Sequence, residues 1–153
     1  MRSLVQGALR DNRGSNVIET ALAMLVVTPM LICLFEICMF CYTMATLQYA
    51  SRQGVQYAMT HGTDAPNCSG PGGSVVSACP DSTGANVQKM VIAVAGSSGH
   101  TLTSNMIQPV WKNNANNPGD LVTVNVSYPY KPYTHVPFPA ITINGTATGQ
   151  IVY

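Results

Sequence analysis

Charge is what this sequence has least of. Of 153 residues only 8% are Asp, Glu, Lys or Arg, against roughly 25% in an average soluble domain. Seven basic and six acidic side chains leave a net charge of +1, with none of the basic surplus or stripe that marks a nucleic-acid binder. Disorder is disfavoured too, because disordered chains combine low hydrophobicity with high net charge, and this one is 46% hydrophobic. The mean hydropathy of +0.17 is high for a soluble protein. The length suits one modest domain with an appendage rather than two substantial cores.

Constellations that carry chemistry are also missing. His61, His100 and His135 lie far apart with no partner at metal-ligand spacing, so neither zinc nor another metal is expected. No glycine-rich phosphate cradle runs into Lys-Ser or Lys-Thr, and no serine sits in a nucleophile-elbow context. Beyond the apolar region the acids are Asp64, Asp81 and Asp120 alone. No catalytic residue and no cofactor is expected, and an enzyme is the least supported class. Asn67-Cys-Ser, Asn125-Val-Ser and Asn144-Gly-Thr match the glycosylation sequon, a pattern short enough to arise by chance.

What is there is a concentrated run of apolar residues. Arg2, Arg10 and Arg13 precede it against the single acid Asp11, and from Val17 to Tyr49 the only ionised side chains are Glu19 and Glu36. The stretch from Ala21 to Phe35 and its continuation from Ile37 to Ala45 are apolar on every side. Such a helix is either the core of a large protein or a membrane span, and the rest of this chain is too small to wrap it. About 20 residues suffice to cross a ~30 Å hydrocarbon layer, so a single span is expected, kinked at Pro29. Three arginines before the span and only Arg52 soon after it predict a cytoplasmic N-terminus and an external C-terminal part. The run is longer than the roughly 7–15 residues of a secretory signal core, carries Glu19 at its head and lacks a small-x-small cleavage site.

An acid inside a span is expensive and is by default a functional hypothesis. Glu19 and Glu36 are separated by about 26 Å of helix at ~1.5 Å per residue. One lipid layer therefore allows each to lie near an opposite interface, and they point to different sides, so they are not an acid–base pair. Around Glu19 the order is more particular. A basic leader, Gly14, and an acid five positions later at the head of a long apolar helix is the arrangement of a type IV prepilin-like signal. A glycine there leaves the backbone unencumbered for a peptidase. Cleavage would leave a new α-amine on Ser15, able to pair with the Glu19 carboxylate of a neighbouring subunit and fix axial register more than add stability. The other reading makes Glu19 a polar residue at the headgroup level.

These pieces resemble the TadE-like family of small pilin-like proteins from the tight-adherence (Flp) pilus and secretion system. The resemblance rests on Arg13-Gly14, Glu19, the Ala21-to-Phe35 run with Pro29, and Glu36. The segment from Ala50 to Ala58, similar to the family's small-small-Arg-x-Gly-x-x-Tyr-Ala pattern, adds to it. Two features depart from the pattern: Thr20 follows Glu19 where many relatives carry an aromatic residue, and the span is rich in Cys33, Cys38, Cys41, Met24, Met30, Met39 and Met44. The resemblance implies a minor pilin or pseudopilin in the bacterial inner (cytoplasmic) membrane, processed by a prepilin peptidase. Its implied partners are the lipid bilayer, other pilin-like subunits and the pilus assembly platform.

Beyond Ala58 the texture turns to Gly, Ser, Asn, Pro and Thr. Residues 61–86 read as a loop, flanked by Cys68 and Cys79. That pair is a disulfide candidate outside the cytoplasm, two free thiols being the alternative. Gly84-Ala85-Asn86 opens a short helix through Ala95, with Val87, Met90, Val91 and Val94 on one face and Gly96 and Gly99 ending it. Ile107–Trp111 reads as a short strand. From Leu121 to Tyr128 the alternation puts Val122, Val124, Val126 and Tyr128 on one side. Residues 140–144 and 146–153 form a further strand region interrupted by Gly145 and Gly149, reached through an extended connection holding Pro129, Pro132, Pro137 and Pro139.

The fold class expected is α+β and pilin-like, a long N-terminal hydrophobic transmembrane helix followed by a small extracytoplasmic domain with a short helix and antiparallel strands. The expected segments are a basic leader over 1–14, the span and its extension over 15–60, and the external domain over 61–153. The alternative function is an uncleaved single-pass anchor carrying a small external binding domain.

Overall fold

The computed structural model describes residues 13–133 and 141–152. The leader arginines Arg2 and Arg10, His135, Pro137 and Pro139 lie outside the described residues. Helix α1 runs over Arg13–Thr60, 48 residues, and its assignment continues unbroken through Pro29. The chain divides into two units, Met1–Met39 and Phe40–Tyr153, and the division falls inside α1.

In the second unit the helix is amphipathic. Thr43, Thr46, Leu47, Ala50, Ser51, Gly54, Val55 and Ala58 are buried, a spacing of three and four that draws one stripe along a 3.6-residue helix. Leu47, Ala50 and Ala58 have no exposed surface at all. Most of the stripe is small, which lets other backbone come close. A Cβ added at Gly54 would stand 2.5 Å from Val91 Cγ2.

Helix α2 spans Ala85–Ser97, two residues beyond the expected end. Its start is capped at a distance. Gly84 stands at the N-cap with φ +72° and no side chain, and the Asp81 carboxylate accepts the Ala85 and Asn86 N–H groups, each at 2.8 Å. The other end closes as a Schellman turn: Gly99, with φ +82°, donates to Gly96 O at 3.0 Å, and His100 N–H donates to Ala95 O at 3.1 Å. Gly99 therefore ends the helix and Gly96 lies inside it. The buried residues are Val87, Val91 and Ala95, at intervals of four rather than the expected four-residue face. Met90 remains 37% exposed, since only the stripe nearest the sheet is covered.

Strands β1 (Ile107–Trp111), β2 (Leu121–Tyr130) and β3 (Ile141–Gln150) form one antiparallel sheet in the order β1-β2-β3. The architecture is α+β, a long apolar N-terminal helix with a short helix and a three-stranded sheet. Val122, Val124 and Val126 are fully buried on the inner face, while Thr123, Asn125 and Ser127 alternate on the other. On that outer face Thr123 and Thr148 share a 2.9 Å hydrogen bond, and Thr146 donates to Asn125 Oδ1 at 3.0 Å.

Two strand boundaries differ from the expectation. Pro129 belongs to the ladder, opposite Thr142, rather than to the connection. Gly145 and Gly149 do not interrupt β3, which is continuous and pairs them with Val126 and Val122. Their lack of a side chain serves packing. A Cβ on Gly145 would lie 2.8 Å from the Leu47 carbonyl oxygen, and one on Gly149 would lie 2.5 Å from Val55 Cγ1. Both are places where α1 lies directly on β3. The core gathers Leu47, Val55, Val87, Val91, Ile107, Val122, Val124, Val126, Ile143 and Ile151 between the helices and the inner face.

Candidate functional site

The first stretch of α1 has no core of its own to enter. Every residue from Gly14 to Phe35 is exposed, including Leu25 at 71% and Met30 at 70%. Fully burying one such side chain is worth about 1.5–3 kcal/mol, so a rod of them in water would forgo tens of kcal/mol. Gly14–Thr60 is the helix, among the described residues, that is long and apolar enough to cross a membrane; its most apolar window has a mean hydropathy of 2.3 and no buried residue. Residues 14–39 alone, at about 1.5 Å each, extend about 39 Å, more than the ~30 Å of a hydrocarbon layer.

Gly14 and Ser15 lie in the first turn of this helix, and nothing stands within 4 Å of a Cβ placed on Gly14. A peptidase that needs extended backbone would have to unwind that turn, which is the part of a helix held by the fewest hydrogen bonds. Glu19 is exposed one turn further on. Thr20 returns its hydroxyl proton to the Asn16 carbonyl at 2.8 Å, the usual accommodation of a threonine inside a helix. Glu36 is half-buried. Cys33, Cys38 and Cys41 are free and exposed.

In the second unit Cys68 and Cys79 are joined by a disulfide. It closes the loop beside a polar clasp. Ser69 donates its hydroxyl proton to Asp81 Oδ2, and its N–H donates to His61 O at 2.9 Å. Gly70 N–H donates to Asp81 O at 2.7 Å. Asn116, fully buried, donates through Nδ2 to Ser69 O at 3.1 Å and to His61 O at 3.4 Å, while its backbone carbonyl accepts the Thr63 N–H at 3.1 Å. Burial acts to raise the Asp81 pKa, but hydrogen bonds from Ser69, the Asn86 and Ala85 N–H groups and Thr83 outweigh it and hold the carboxyl below its ordinary value. Asp81 thus fastens the loop and caps α2 at once. The sequence marks Asp81 only as one of three acids beyond the apolar region, and Asn116 not at all. The signal for Asp81 was a carboxylate just upstream of a capless helix start.

His61 stacks on Tyr57 with ring centroids 4.0 Å apart. His100, 7% exposed, sits between Tyr42 and Tyr128 at 5.9 and 5.6 Å. It lines a cleft of about 340 Å³ with Thr43, Tyr128, Tyr130, Lys131 and Tyr133. The two histidines that are described do not converge, and no group of three or more metal-ligating side chains occurs among the described residues. What the site residues offer is an apolar rod with an acid near its head and a small α+β domain that holds a disulfide. No protein-family model, curated protein or solved structure matches this chain.

Proposed function

We propose that this chain is a membrane-anchored structural subunit of the TadE-like kind, a minor pilin or pseudopilin used in assembling a tight-adherence pilus or its associated secretion apparatus. It carries no catalytic role. Residues 15–39 hold it in the inner membrane with its N-terminus in the cytoplasm, and a prepilin peptidase cuts between Gly14 and Ser15. The observation that carries the reading is the exposure of every side chain from Gly14 to Phe35, an apolar surface that lipid or neighbouring apolar helices must cover. In an assembled fibre the Glu19 carboxylate pairs with the Ser15 amine of the next subunit, which sets register along the bundle.

N-terminal sequencing of the protein taken from membranes tests the cleavage. The expected product begins at Ser15, and Gly14→Asp blocks its formation while leaving membrane insertion intact. Glu19→Ala inserts normally and assembles poorly. A start at Met1 in every recovered molecule would instead favour an uncleaved anchor carrying a small external binding domain.

A further inference from the structure

The cleft beside His100 brings together three parts of the second unit: Thr43 of α1, His100 just after α2, and the end of β2 with Lys131 and Tyr133 beyond it. Its volume of about 340 Å³ falls in the roughly 300–1,000 Å³ range of small-ligand sites. His100 is held firmly in the wall. Its backbone N–H donates to Ala95 O at 3.1 Å, its ring packs between Tyr42 and Tyr128, and it is only 7% exposed. Yet its Nε2 is buried with no hydrogen-bond partner among the described residues. Buried polar atoms are normally paired, and one left unpaired is costly. Lys131 is exposed and brings a positive charge to the lining, which holds no carboxylate. The acids of this unit are elsewhere: Asp64 and Asp81 in the loop between α1 and α2, and Asp120 ahead of β2, whose other end forms the cleft.

We propose that this cleft binds the phosphate of a singly anionic phospholipid headgroup. The inference rests on α1 being a membrane span and deepens that reading by naming the lipid. Lys131 supplies the positive charge, and the imidazole, in the tautomer protonated at Nε2, donates to a phosphate oxygen. A quaternary ammonium would be repelled by Lys131 and would find no carboxylate in the lining. The depth agrees. With residues 15–39 in the hydrocarbon, Thr43 stands about 6 Å further along α1, within the roughly 5–8 Å that headgroups add on each side. Tyr42 and Tyr133, each about half exposed, are of the residue type that collects at this level. A free phosphate ester offers the same oxygens and charge, but only a lipid is delivered to the cleft by the span itself.

Native mass spectrometry of the full chain, released from micelles holding equal amounts of phosphatidylglycerol and phosphatidylcholine, tests this. The wild type is expected to retain phosphatidylglycerol in preference. Lys131→Gln should cut that preference about fivefold, the effect of one lysine beside an anionic lipid surface, and Lys131→Arg should keep it. His100→Phe, which leaves a ring between the two tyrosines and removes Nε2, should lower it as well. Lys112→Gln, just past β1 and outside the lining, should not. Arg2, Arg10 and Arg13 are the same in every variant, so their own attraction for anionic lipid cancels. Soluble glycerophosphoglycerol, the headgroup without its chains, should fail to displace the lipid at equal concentration. Equal retention of the two lipids, or a preference that Lys131→Gln or His100→Phe leaves unchanged, overturns the proposal. Displacement by glycerophosphoglycerol at equal concentration would assign the cleft to a free phosphate ester and overturns it too. Flotation with vesicles of each lipid separates this from the membrane reading: a chain that floats without a Lys131-dependent preference loses the headgroup site alone, and one that floats with neither loses both.

Discussion

Two stretches of one helix obey different solvents. From Gly14 to Phe35 no residue is shielded, and the apolar side chains point in every direction. From Thr43 to Ala58 burial returns every three or four residues, on a stripe made of Thr, Leu, Ala, Ser, Gly and Val. Amino-acid type separates them in part, since Gln48, Arg52, Gln53 and Gln56 lie off the buried stripe of the second stretch. What also separates them is what lies alongside. The second stretch has a sheet that offers Gly145 and Gly149 for close approach; the first is exposed at every position among the described residues. A helix thus draws stability from periodic contact in one half and depends on an apolar surrounding in the other.

That difference is sharpened first by paired truncations. Leu47→Ala, in the packed half, is expected to cost about 2–5 kcal/mol of domain stability. Leu34→Ala, in the exposed half, is expected to stay within about 0.5 kcal/mol. Denaturant unfolding in micelles, followed by the fluorescence of the single tryptophan, Trp111, measures both. Equal effects would erase the distinction between the halves.

Next in size is the loop beside the packed half. Replacing Cys68 and Cys79 together by serine removes a cross-link over an eleven-residue separation and is expected to cost about 3 kcal/mol by loop-closure entropy; the same replacement of the free Cys33 should leave the midpoint unmoved. Gly145→Ala, whose Cβ meets the Leu47 carbonyl, should cost about 1–3 kcal/mol through overpacking. Gly14→Ala, in open space, should cost nothing measurable in the same assay.

Asp81 gives the smallest effect and the one with a pH signature. Asp81→Asn removes the charge that accepts the Ala85 and Asn86 N–H groups and the Ser69 hydroxyl and should cost about 1–2 kcal/mol. Because its folded pKa lies below the ordinary carboxylate value, the contribution is fully present above the unfolded pKa of about 3.9 and is lost as pH falls through the folded value. The wild-type and Asp81→Asn midpoints should therefore converge in acid and separate at neutral pH. A constant gap from pH 7 downward would show that the carboxylate charge plays no part.

The regular elements were legible because each has a local period. The alternation of Val122, Val124 and Val126 is a strand whatever surrounds it, and Val87 and Val91 mark a helix face. What was misread depends on partners distant in sequence. Gly145 and Gly149 look like strand breaks until the helix lying across them is known. Pro129 looks like a connection until its place at the exposed end of a ladder is seen. Asn116 holds carbonyls 47 and 55 positions away, a relation no window of sequence contains. The head of the packed stripe, at Thr43, falls inside the run from Ile37 to Ala45 that reads as a continuation of the span, because its contacts on the sheet are distant in sequence.

A nitroxide scan along α1 in reconstituted bilayers, one label at a time from Val17 to Ala58, tests the two-solvent account most directly. Collision with dissolved oxygen is expected to be high on all sides from Val17 to Phe35, and then to rise and fall every three to four residues from Thr43 onward. The same short period running through the first stretch would mean that this half, too, packs on protein, and would contradict the account.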